Sequence, residues 1–428
     1  MLALNPLPTP PQPDSRYAVM RLLITLALMT VGGSGMYIIA VVLPAVQAEF
    51  GVARADASIP YTLMMIGFGV GGMFMGYLSD RFGVMVPLLL GATGLGVGFS
   101  AASMADSIWV FSLIHGVLIG LLGCSATFAP LIADTSLWFV RRRGIAVAVC
   151  ASGNYLSGTI WPPIVQHFVD DIGWRQTYLY MGIFTFITMG GLALLMQQRP
   201  PVTVLQTPPE TAKSSTQAAK HLPSADSSRP FGMSPGKAQT LLCIAGLACC
   251  VAMAMPQVHI VAYCFDLGFG AARGAEMLSL MLGMGIISRL VSGYICDHIG
   301  GLRTLLLGSA LQMVALWLFL PFNGIVSLYV ISALFGLFQG GIVPAYAIIV
   351  REHFPPSEAG SRVGMVIMFT MLGMALGGWM SGKVYDLSGS YQAAFVNGIA
   401  WNLLNLAIAI TLLRKVYRQR RPSALALP

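Results

Sequence analysis

Twelve long apolar stretches alternate with short polar segments along this chain. The limits that the sequence indicates are 20–46, 59–78, 85–104, 108–133, 144–168, 176–196, 238–264, 276–295, 304–321, 327–350, 363–382 and 394–413. Each approaches or exceeds the length of about 20 residues that a helix needs to cross a bilayer. Helices satisfy their own backbone hydrogen bonds in lipid, and the alternating pattern of a barrel strand is absent. The pattern predicts an all-α membrane protein with twelve transmembrane helices.

The second half of the chain repeats short motifs of the first half in the same order. Residues 76–83 read Gly-Tyr-Leu-Ser-Asp-Arg-Phe-Gly, and residues 293–300 read Gly-Tyr-Ile-Cys-Asp-His-Ile-Gly. Three further pairs recur at nearly the same displacement: Gly116 and Gly120 with Gly336 and Gly340, Gly144 and Gly153 with Gly364 and Gly373, and Asp170, Gly173 and Gln176 with Asp386, Gly389 and Gln392. The chain is therefore expected to form two pseudo-symmetric six-helix bundles. Internal duplication of this kind is typical of transporters that bind a solute between two halves.

The composition agrees with a protein embedded in lipid. Hydrophobic residues make up 56% of the chain and charged residues only 9%, whereas about a quarter of a soluble domain is charged. The seven cysteines lie in or near the ends of apolar stretches without metal-type spacing, and we interpret them as small packing residues. No apolar stretch carries paired acids, a His-Glu metal cluster or a nucleophile beside a base, so neither an enzyme nor a cofactor or metal site is expected.

Basic residues predict the orientation, because they stay on the cytoplasmic side of short loops. If the N-terminus is cytoplasmic, four basic residues fall outside: Arg54, Arg175, Arg273 and Lys383. Nineteen fall inside: Arg16, Arg21, Arg81, Arg141, Arg142, Arg143, Arg199, Lys213, Lys220, Arg229, Lys237, Arg303, Arg351, Arg362, Arg414, Lys415, Arg418, Arg420 and Arg421. The net charge of +8 is therefore mainly a topology signal. Nucleic-acid binding is not indicated, because the basic residues form no patch with interleaved aromatics.

The polar segments divide the chain into five parts. Residues 1–19 form a proline-rich cytoplasmic tail that lacks the features of a signal peptide. Residues 20–196 form the N-terminal bundle, 197–237 a cytoplasmic linker rich in Pro, Ser, Thr and Gln, 238–413 the C-terminal bundle, and 414–428 a cytoplasmic tail. We expect a monomer in the plasma (inner) membrane with both termini in the cytoplasm.

The doubled motif resembles the signature of the major facilitator superfamily along the whole chain. That signature is a Gly, three residues, Asp, a basic residue, one residue and Gly, after the second and eighth spans. Gly76, Asp80, Arg81 and Gly83 match it in the first half. Gly293, Asp297 and Gly300 match it in the second half, with His298 in the basic position. The resemblance implies a secondary transporter of twelve helices.

Within that superfamily the chain is similar to the monocarboxylate and oxalate–formate transporter groups. Trp138-Phe139-Val140-Arg141-Arg142-Arg143 looks like the aromatic and basic cluster before the fifth span of those groups. Those groups carry an arginine in the eighth span, four residues before the signature Gly, that binds substrate carboxylate. Arg289 has that position, whereas the first half has Gly72 there. The monocarboxylate group usually has an Asp one turn before this arginine, where this chain has Gly285.

Arg289 is the first candidate for substrate binding, because it is the one basic residue well inside an apolar stretch. A charge in hydrocarbon costs several kcal/mol, so the side chain must face a cavity or a partner. A guanidinium fork fits a carboxylate with two hydrogen bonds. The alternatives are that Arg289 extends to the headgroups, or that it forms an ion pair with Asp134 near the end of the fourth span.

Four more polar side chains at membrane depth are candidates for the cavity: Tyr37, Asn154, Gln257 and His259. The resemblance places the first, fifth and seventh spans, which carry them, along the cavity. His115 and His259 are also candidates for a proton carrier, because imidazole titrates near neutral pH. For each of these side chains the alternative is a packing role, since polar groups also tie helices together.

The signature loops suggest a gate. Asp80 and Asp297 lie at the ends of spans, where they could pair with Arg141, Arg142 or Arg143, or with Arg351 and Arg362, or lie at a helix N-terminus. The resemblance implies that these contacts close the cytoplasmic side in the outward-facing state. The alternative is a solvated loop carboxylate. The predicted gating residues are Gly76, Asp80, Arg81, Gly83, Arg141, Arg142, Arg143, Gly293, Asp297 and Gly300.

These observations predict a secondary transporter that moves a small organic anion, such as a mono- or dicarboxylate, by alternating access. Its partners would be this small molecule, the lipid bilayer and, if transport is coupled to them, protons. The main alternative is efflux of a hydrophobic or uncharged compound, with Arg289 in a structural role. A transporter-like sensor would need a folded soluble region, which the composition of the linker does not offer.

Overall fold

The protein is helical throughout the part of the chain that its computed structural model describes, residues 13–198 and 230–420. The predicted N-terminal tail up to residue 12, the linker residues 199–229 and the C-terminal residues 421–428 lie outside the described residues. Twelve long helices account for nearly all of the described residues, which confirms the predicted fold class.

The first six long helices follow one another with short connections. They are α1 Arg16–Phe50, α2 Arg54–Phe82, α3 Met85–Ser103, α4 Ile108–Trp138, α5 Arg143–Ile172 and α6 Trp174–Leu194. The last six are α7 Pro235–Asp266, α8 Ala271–Ile299, α9 Gly301–Leu318, α10 Ile325–His353, α11 Pro356–Ser388 and α12 Tyr391–Arg420.

Eleven of these helices are long and apolar enough to cross a membrane, judged over the described residues by length and composition. The twelfth, α5, has 30 residues but is less apolar. Its interior includes Asn154, Gln166 and two prolines, Pro162 and Pro163. Its packing against α1 and α8 accounts for this composition, because side chains that face other helices need not be as apolar as those that face lipid.

Several helices extend beyond the apolar stretches that predict them. The first starts at Arg16 rather than residue 20, α7 starts at Pro235 rather than residue 238, and α12 continues to Arg420 rather than residue 413. The reason is that hydropathy detects only the part of a helix that fits hydrocarbon, whereas backbone hydrogen bonds continue into polar surroundings.

Three of the long helices are interrupted near their middle. Helix α1 breaks at Gly33, and the indole N–H of Trp161 donates to the Thr30 carbonyl at 2.7 Å beside this break. Helix α4 passes through a π-helical segment, His115–Gly123, and α10 breaks between Gln339 and Ile342. The interruptions of α4 and α10 include or border the duplicated glycine pairs. Such breaks are tolerated in a membrane where neighbouring helices satisfy the freed backbone groups.

The two halves meet mainly where α5 packs against α8, α2 against α11, and α1 against α7. We name the end of the molecule that carries Gly83 and Gly300 the signature end, and the end that carries Arg54 and Tyr391 the distal end. Near the distal end, a Cβ on Gly382 of α11 would lie 2.9 Å from the Cα of Ala55.

The same helix pair separates toward the signature end. A Cβ on Gly72 or Gly76 of α2, or on Gly364 of α11, would meet no atom within 4 Å. The halves are therefore closed against each other at the distal end and open between α2 and α11 at the signature end.

Candidate functional site

Arg289 lies in the interface between the halves, where α8 packs against α5. Its Nη1 donates a hydrogen bond to the carbonyl oxygen of Ala151 at 3.0 Å. Its guanidinium carbon stands 4.5 Å from the centre of the Tyr155 ring. Ala151 is eight residues inside α5, which is about 12 Å from the start of that helix at 1.5 Å per residue. The guanidinium thus lies beside the interior of α5 rather than beside its first turn.

The guanidinium of Arg289 keeps most of its hydrogen-bonding capacity. Among the described residues it has no carboxylate within ion-pair distance, and its Nε is buried without a hydrogen-bond partner. An arginine has five N–H donors, of which the carbonyl of Ala151 accepts one and the hydroxyl of Tyr155 is within reach of another. The remaining donors suit an anion with two acceptor oxygens.

The alternative role of Arg289, an ion pair with Asp134, is not formed in this structure. Asp134 instead forms a two-pronged ion pair with Arg21 of α1, with Nε to Oδ2 at 2.8 Å and Nη2 to Oδ1 at 2.9 Å. Both side chains are buried, and Arg21 also lies over the ring of Trp138 and donates to the Met196 carbonyl. This pair fastens α1, α4 and the end of α6 together within the first half.

Tyr37 and Asn154 are brought together beside the turn of α5 that holds Arg289. The hydroxyl of Tyr37 on α1 donates to Oδ1 of Asn154 at 3.2 Å. Asn154 also lines a cavity of about 10 Å³ with Gly33 and Met36, which is close to the smallest space that holds one water molecule. The two side chains therefore form a hydrogen-bonded polar pair, in which Asn154 directly precedes Tyr155 on α5.

Gln257 forms a contact within the second half. Its Nε2 donates to Oε1 of Gln339 at 3.0 Å and so joins α7 to α10. The Nε2 of Gln339 is buried without a partner among the described residues. No described contact joins this amide pair to Arg289, so the pair's role as part of the same site stays a prediction.

His259 lies away from Arg289, near the distal end. Its ring nitrogens contact the hydroxyl of Tyr391 at 3.2 Å and the carbonyl oxygen of Gly378 at 2.8 Å. The other candidate proton carrier, His115, contacts the Phe111 carbonyl at 2.8 Å and the Tyr178 hydroxyl at 3.2 Å inside the first half. The structure brings neither imidazole to the guanidinium.

A group of charged and polar residues joins the halves at the distal end, where the sequence indicated only loop charges. Arg54, at the start of α2, donates from Nη2 to both oxygens of Asp266 at 3.1 and 3.2 Å, and from Nη1 to the Tyr391 hydroxyl at 2.7 Å. Asp386 accepts the backbone N–H groups of Arg54 at 2.9 Å and of Ala55 at 2.8 Å. We call these residues, Arg54, Asp266, Asp386 and Tyr391, the distal lock.

One signal in the sequence pointed toward the distal lock. Asp386 belongs to a duplicated motif, and its counterpart Asp170 has the same spacing to Gly and Gln. Within the described part of the chain, Asp170 accepts its one hydrogen bond from Gln166, four residues earlier in the first half. The two copies have therefore diverged, and only the second one joins the halves.

The predicted gating residues at the signature end do not pair with one another. In residues 13–198 and 230–420, Asp80 and Asp297 form no ion pair. Arg81 donates to the Tyr77 hydroxyl at 3.2 Å, Arg143 donates to the Phe139 carbonyl at 3.1 Å, and the backbone N–H of Arg141 donates to Asp14 at 3.1 Å. This arrangement fits the open signature end.

The glycines of the signature have two different surroundings. Gly83 and Gly300 end α2 and α8 with φ of 87° and 83°, a backbone conformation that glycine adopts without strain. A Cβ on Gly76 or Gly293 would meet no atom within 4 Å. Arg142 precedes α5 and carries no described ion pair. The gating role of all these residues stays a prediction.

The comparison with protein families identifies one family. The family model described as Major Facilitator Superfamily matches residues 24–330 and 277–426. These residues include both copies of the signature and Arg289. The match confirms the resemblance that the doubled signature indicated.

Individual relatives are transporters with different named cargoes. Monocarboxylate transporter 13 of Bos taurus is 27% identical over 360 residues, which cover 83% of this chain and 79% of that protein. An agnestins efflux protein of Paecilomyces divaricatus is 21% identical over 339 residues, which cover 79% of this chain and 74% of that protein. The solved structure of the nucleoside transporter NupG matches with a TM-score of 0.69 at 12% identity, covering 94% of this chain and all of that one. At that identity the last match shows the fold alone.

Proposed function

Because the chain belongs to the major facilitator superfamily of membrane transporters, we propose that it moves a small organic anion, a mono- or dicarboxylate, by alternating access. The anion would bind between residues 20–196 and 238–413, at the interface of the two halves. The name of one relative, a monocarboxylate transporter, agrees with this class of cargo.

The observation that carries the proposal is the surroundings of Arg289. The side chain lies at the interface of the halves, and its described hydrogen-bonding neighbours, the carbonyl of Ala151 and the hydroxyl of Tyr155, are both neutral. A cationic group without a fixed carboxylate makes its surroundings electropositive, which favours an anion. A carboxylate would supply the second partner that a charge at membrane depth requires.

The two ends of the molecule support a particular conformational state. The excess of basic residues predicts that the signature end faces the cytoplasm. With that orientation, the distal lock seals the outside while the signature end opens inward. In the opposite state Asp80 and Asp297 would pair with basic residues of the signature end, and the distal lock would be broken.

The positions of the histidines bear on coupling. His115 and His259 each contact groups away from Arg289. We therefore favour exchange of one anion for another, or entry of a proton on the substrate itself, over a proton carried by either imidazole beside the site.

The decisive experiment is uptake into proteoliposomes that contain the purified full chain. Labelled L-lactate, pyruvate, oxalate and succinate are offered with and without an imposed proton gradient, and with unlabelled anion inside. Uptake of at least one of them above empty liposomes is expected. Absence of uptake of all four under every condition would contradict the proposal.

Efflux of a hydrophobic or uncharged compound is the second candidate, favoured by the name of the fungal relative. In that case Arg289 would only hold α8 against α5. Thermal stability of the detergent-solubilised protein across a panel of carboxylates and hydrophobic compounds separates the two functions. Stabilisation by carboxylates that is lost in Arg289→Ala supports anion binding, and stabilisation by hydrophobic compounds alone supports efflux.

A further inference from the structure

We propose that Tyr155 of α5 is the positioning residue for the Arg289 guanidinium, and that Gly285 of α8 provides the space for its ring. This inference deepens the proposed function and rests on anion binding at Arg289. It assigns a role in that site to an aromatic side chain that the opposite half contributes.

One turn of α5 holds the guanidinium in two ways. The carbonyl of Ala151 accepts the N–H of Nη1 at 3.0 Å, and the ring of Tyr155, four residues later, lies 4.5 Å from the guanidinium carbon. Residues four apart stand on the same face of a helix, so both contacts come from one side. The Tyr155 side chain is 8% exposed, which restricts the positions that its ring can adopt.

Gly285 lies one turn before Arg289 on α8, directly beside the same ring. A Cβ at this position would be 2.5 Å from Cε1 and 2.7 Å from Cδ1 of Tyr155. Real Cβ atoms do not approach an aromatic carbon so closely, so a side chain here requires a shift of the Tyr155 ring or of the helix that carries it. The glycine and the tyrosine thus form a matched pair across the interface of the halves.

The nature of this partner affects what Arg289 can bind. An aromatic face attracts a cation through its quadrupole but carries no net charge. A carboxylate in the same place would neutralise the guanidinium and compete with an incoming anion. Tyr155 therefore orients the fork while it leaves the positive charge available to the cargo.

The turn that holds Arg289 is itself held in place. Asn154 accepts a hydrogen bond from Tyr37 of α1 at 3.2 Å. A Cβ on Gly153 would lie 2.6 Å from Cβ of Met29, so α5 and α1 approach closely at this level. The first half therefore presents Ala151 and Tyr155 to the second half as a rigid element.

The test compares five variants of the full chain in proteoliposomes, with the labelled carboxylate of the panel that the wild type takes up fastest. We expect Tyr155→Leu to raise KM about thirtyfold, the scale of a desolvated cation–π contact, with Vmax within about twofold of the wild type. Tyr155→Phe keeps the ring face and should keep KM within about threefold. A role in packing alone would lower Vmax through loss of folded transporter and leave KM unchanged.

Two glycines on the same helix provide a matched pair of variants. Gly285→Ala should raise KM as Tyr155→Leu does, because the methyl group displaces the ring. Gly283→Ala should not, since its nearest neighbour beyond its own helix backbone, Cγ2 of Thr159, would lie 3.4 Å from the new Cβ. If Tyr155→Leu does not reach the membrane, the comparison of KM between Gly285→Ala and Gly283→Ala tests the proposal instead.

The possible failures are distinguishable. If Arg289→Ala abolishes carboxylate uptake but both Tyr155→Leu and Gly285→Ala keep the wild-type KM, this inference is overturned and the proposed function stands. If Arg289→Ala transports carboxylate as the wild type does, the anion site itself is wrong. In that case the inference falls with it.

Discussion

Arg54 at the start of α2 binds Asp266 at the end of α7 through both carboxylate oxygens, at 3.1 and 3.2 Å, and so joins the two halves at the distal end. Arg54 is only 6% exposed, and its guanidinium stacks over the Tyr385 ring at 4.8 Å. A charge that is this well buried depends on its partners. The state that the structure represents is therefore expected to depend strongly on this residue.

Arg54→Ala should shift the conformational equilibrium toward opening of the distal end. Loss of the bonds to Asp266 and Tyr391 removes charge-assisted hydrogen bonds worth roughly 1.5–3 kcal/mol each, so the ratio of the two states should change by at least about tenfold. Spin labels at the exposed positions Asp106 and Leu387 would report the separation of the halves. The seven native cysteines are buried, which favours selective labelling.

A second arginine at the distal end provides the control for this experiment. Arg273 pairs with Glu276 of its own helix at 3.0 Å, and both side chains are largely exposed. Arg273→Ala should leave the distance distribution as in the wild type. An equal shift in both variants would mean that general charge at the distal end, and not the lock, sets the equilibrium.

Arg289→Ala should reduce kcat/KM for carboxylate uptake by at least about 100-fold, because two charge-assisted hydrogen bonds to the anion are lost. Arg289→Lys should also fail, since an ammonium group cannot form the two parallel bonds of a guanidinium fork. Initial rates in proteoliposomes measure this effect, with the amount of inserted protein determined for each variant. Full activity of Arg289→Lys would show that charge alone is enough.

Asp134→Ala should destabilise the protein by about 3–5 kcal/mol, because it leaves the buried charge of Arg21 without its partner. The melting temperature of the detergent-solubilised protein measures this loss. Glu358→Ala removes an ion pair of similar length, with Arg362, from a partly exposed site. Such surface pairs contribute at most about 1 kcal/mol, so the control variant should melt close to the wild type.

Asp80→Asn should slow transport without lowering the stability of the state described here. Asp80 forms no ion pair in the described part of the chain, so the substitution removes no ion pair from this state and should not lower its stability. The state with a closed signature end would lose the ion pair that is predicted for Asp80. Transport rate and melting temperature are measured on the same preparation. A large drop in melting temperature would contradict this view of the signature loop.

The architecture could be predicted from the sequence because it depends on properties of short segments of the chain. Apolar length predicts each helix without knowledge of its neighbours, and the two signature copies indicate how the halves are related. Arg289 was identified for the same reason, since a single charged residue inside an apolar stretch can be recognised from the sequence alone. The less apolar α5 was also placed correctly, although its composition reflects its contacts with other helices.

The two long-range ion pairs could not be predicted from the sequence, because each joins residues that are far apart in the chain. Arg21 and Asp134 are separated by 113 positions, and Arg54 and Asp266 by 212. In the sequence, Arg21 and Arg54 are equivalent to any other basic residue near a span end. Only the fold determines which carboxylate each one meets. The same holds for Tyr155, whose position over Arg289 depends on how α5 packs against α8.

The bonds that Asp386 forms have a further consequence for how the seal can be altered. Its carboxylate accepts two backbone N–H groups at the start of α2, and these are present whatever side chains stand at positions 54 and 55, proline excepted. Substitution of Arg54 therefore removes one fastening and leaves the other. The contact between the halves at the distal end can therefore be weakened in two separate steps, by substitution at position 54 or at position 386. Single and double substitutions would then give a series of lifetimes for the state with a closed distal end.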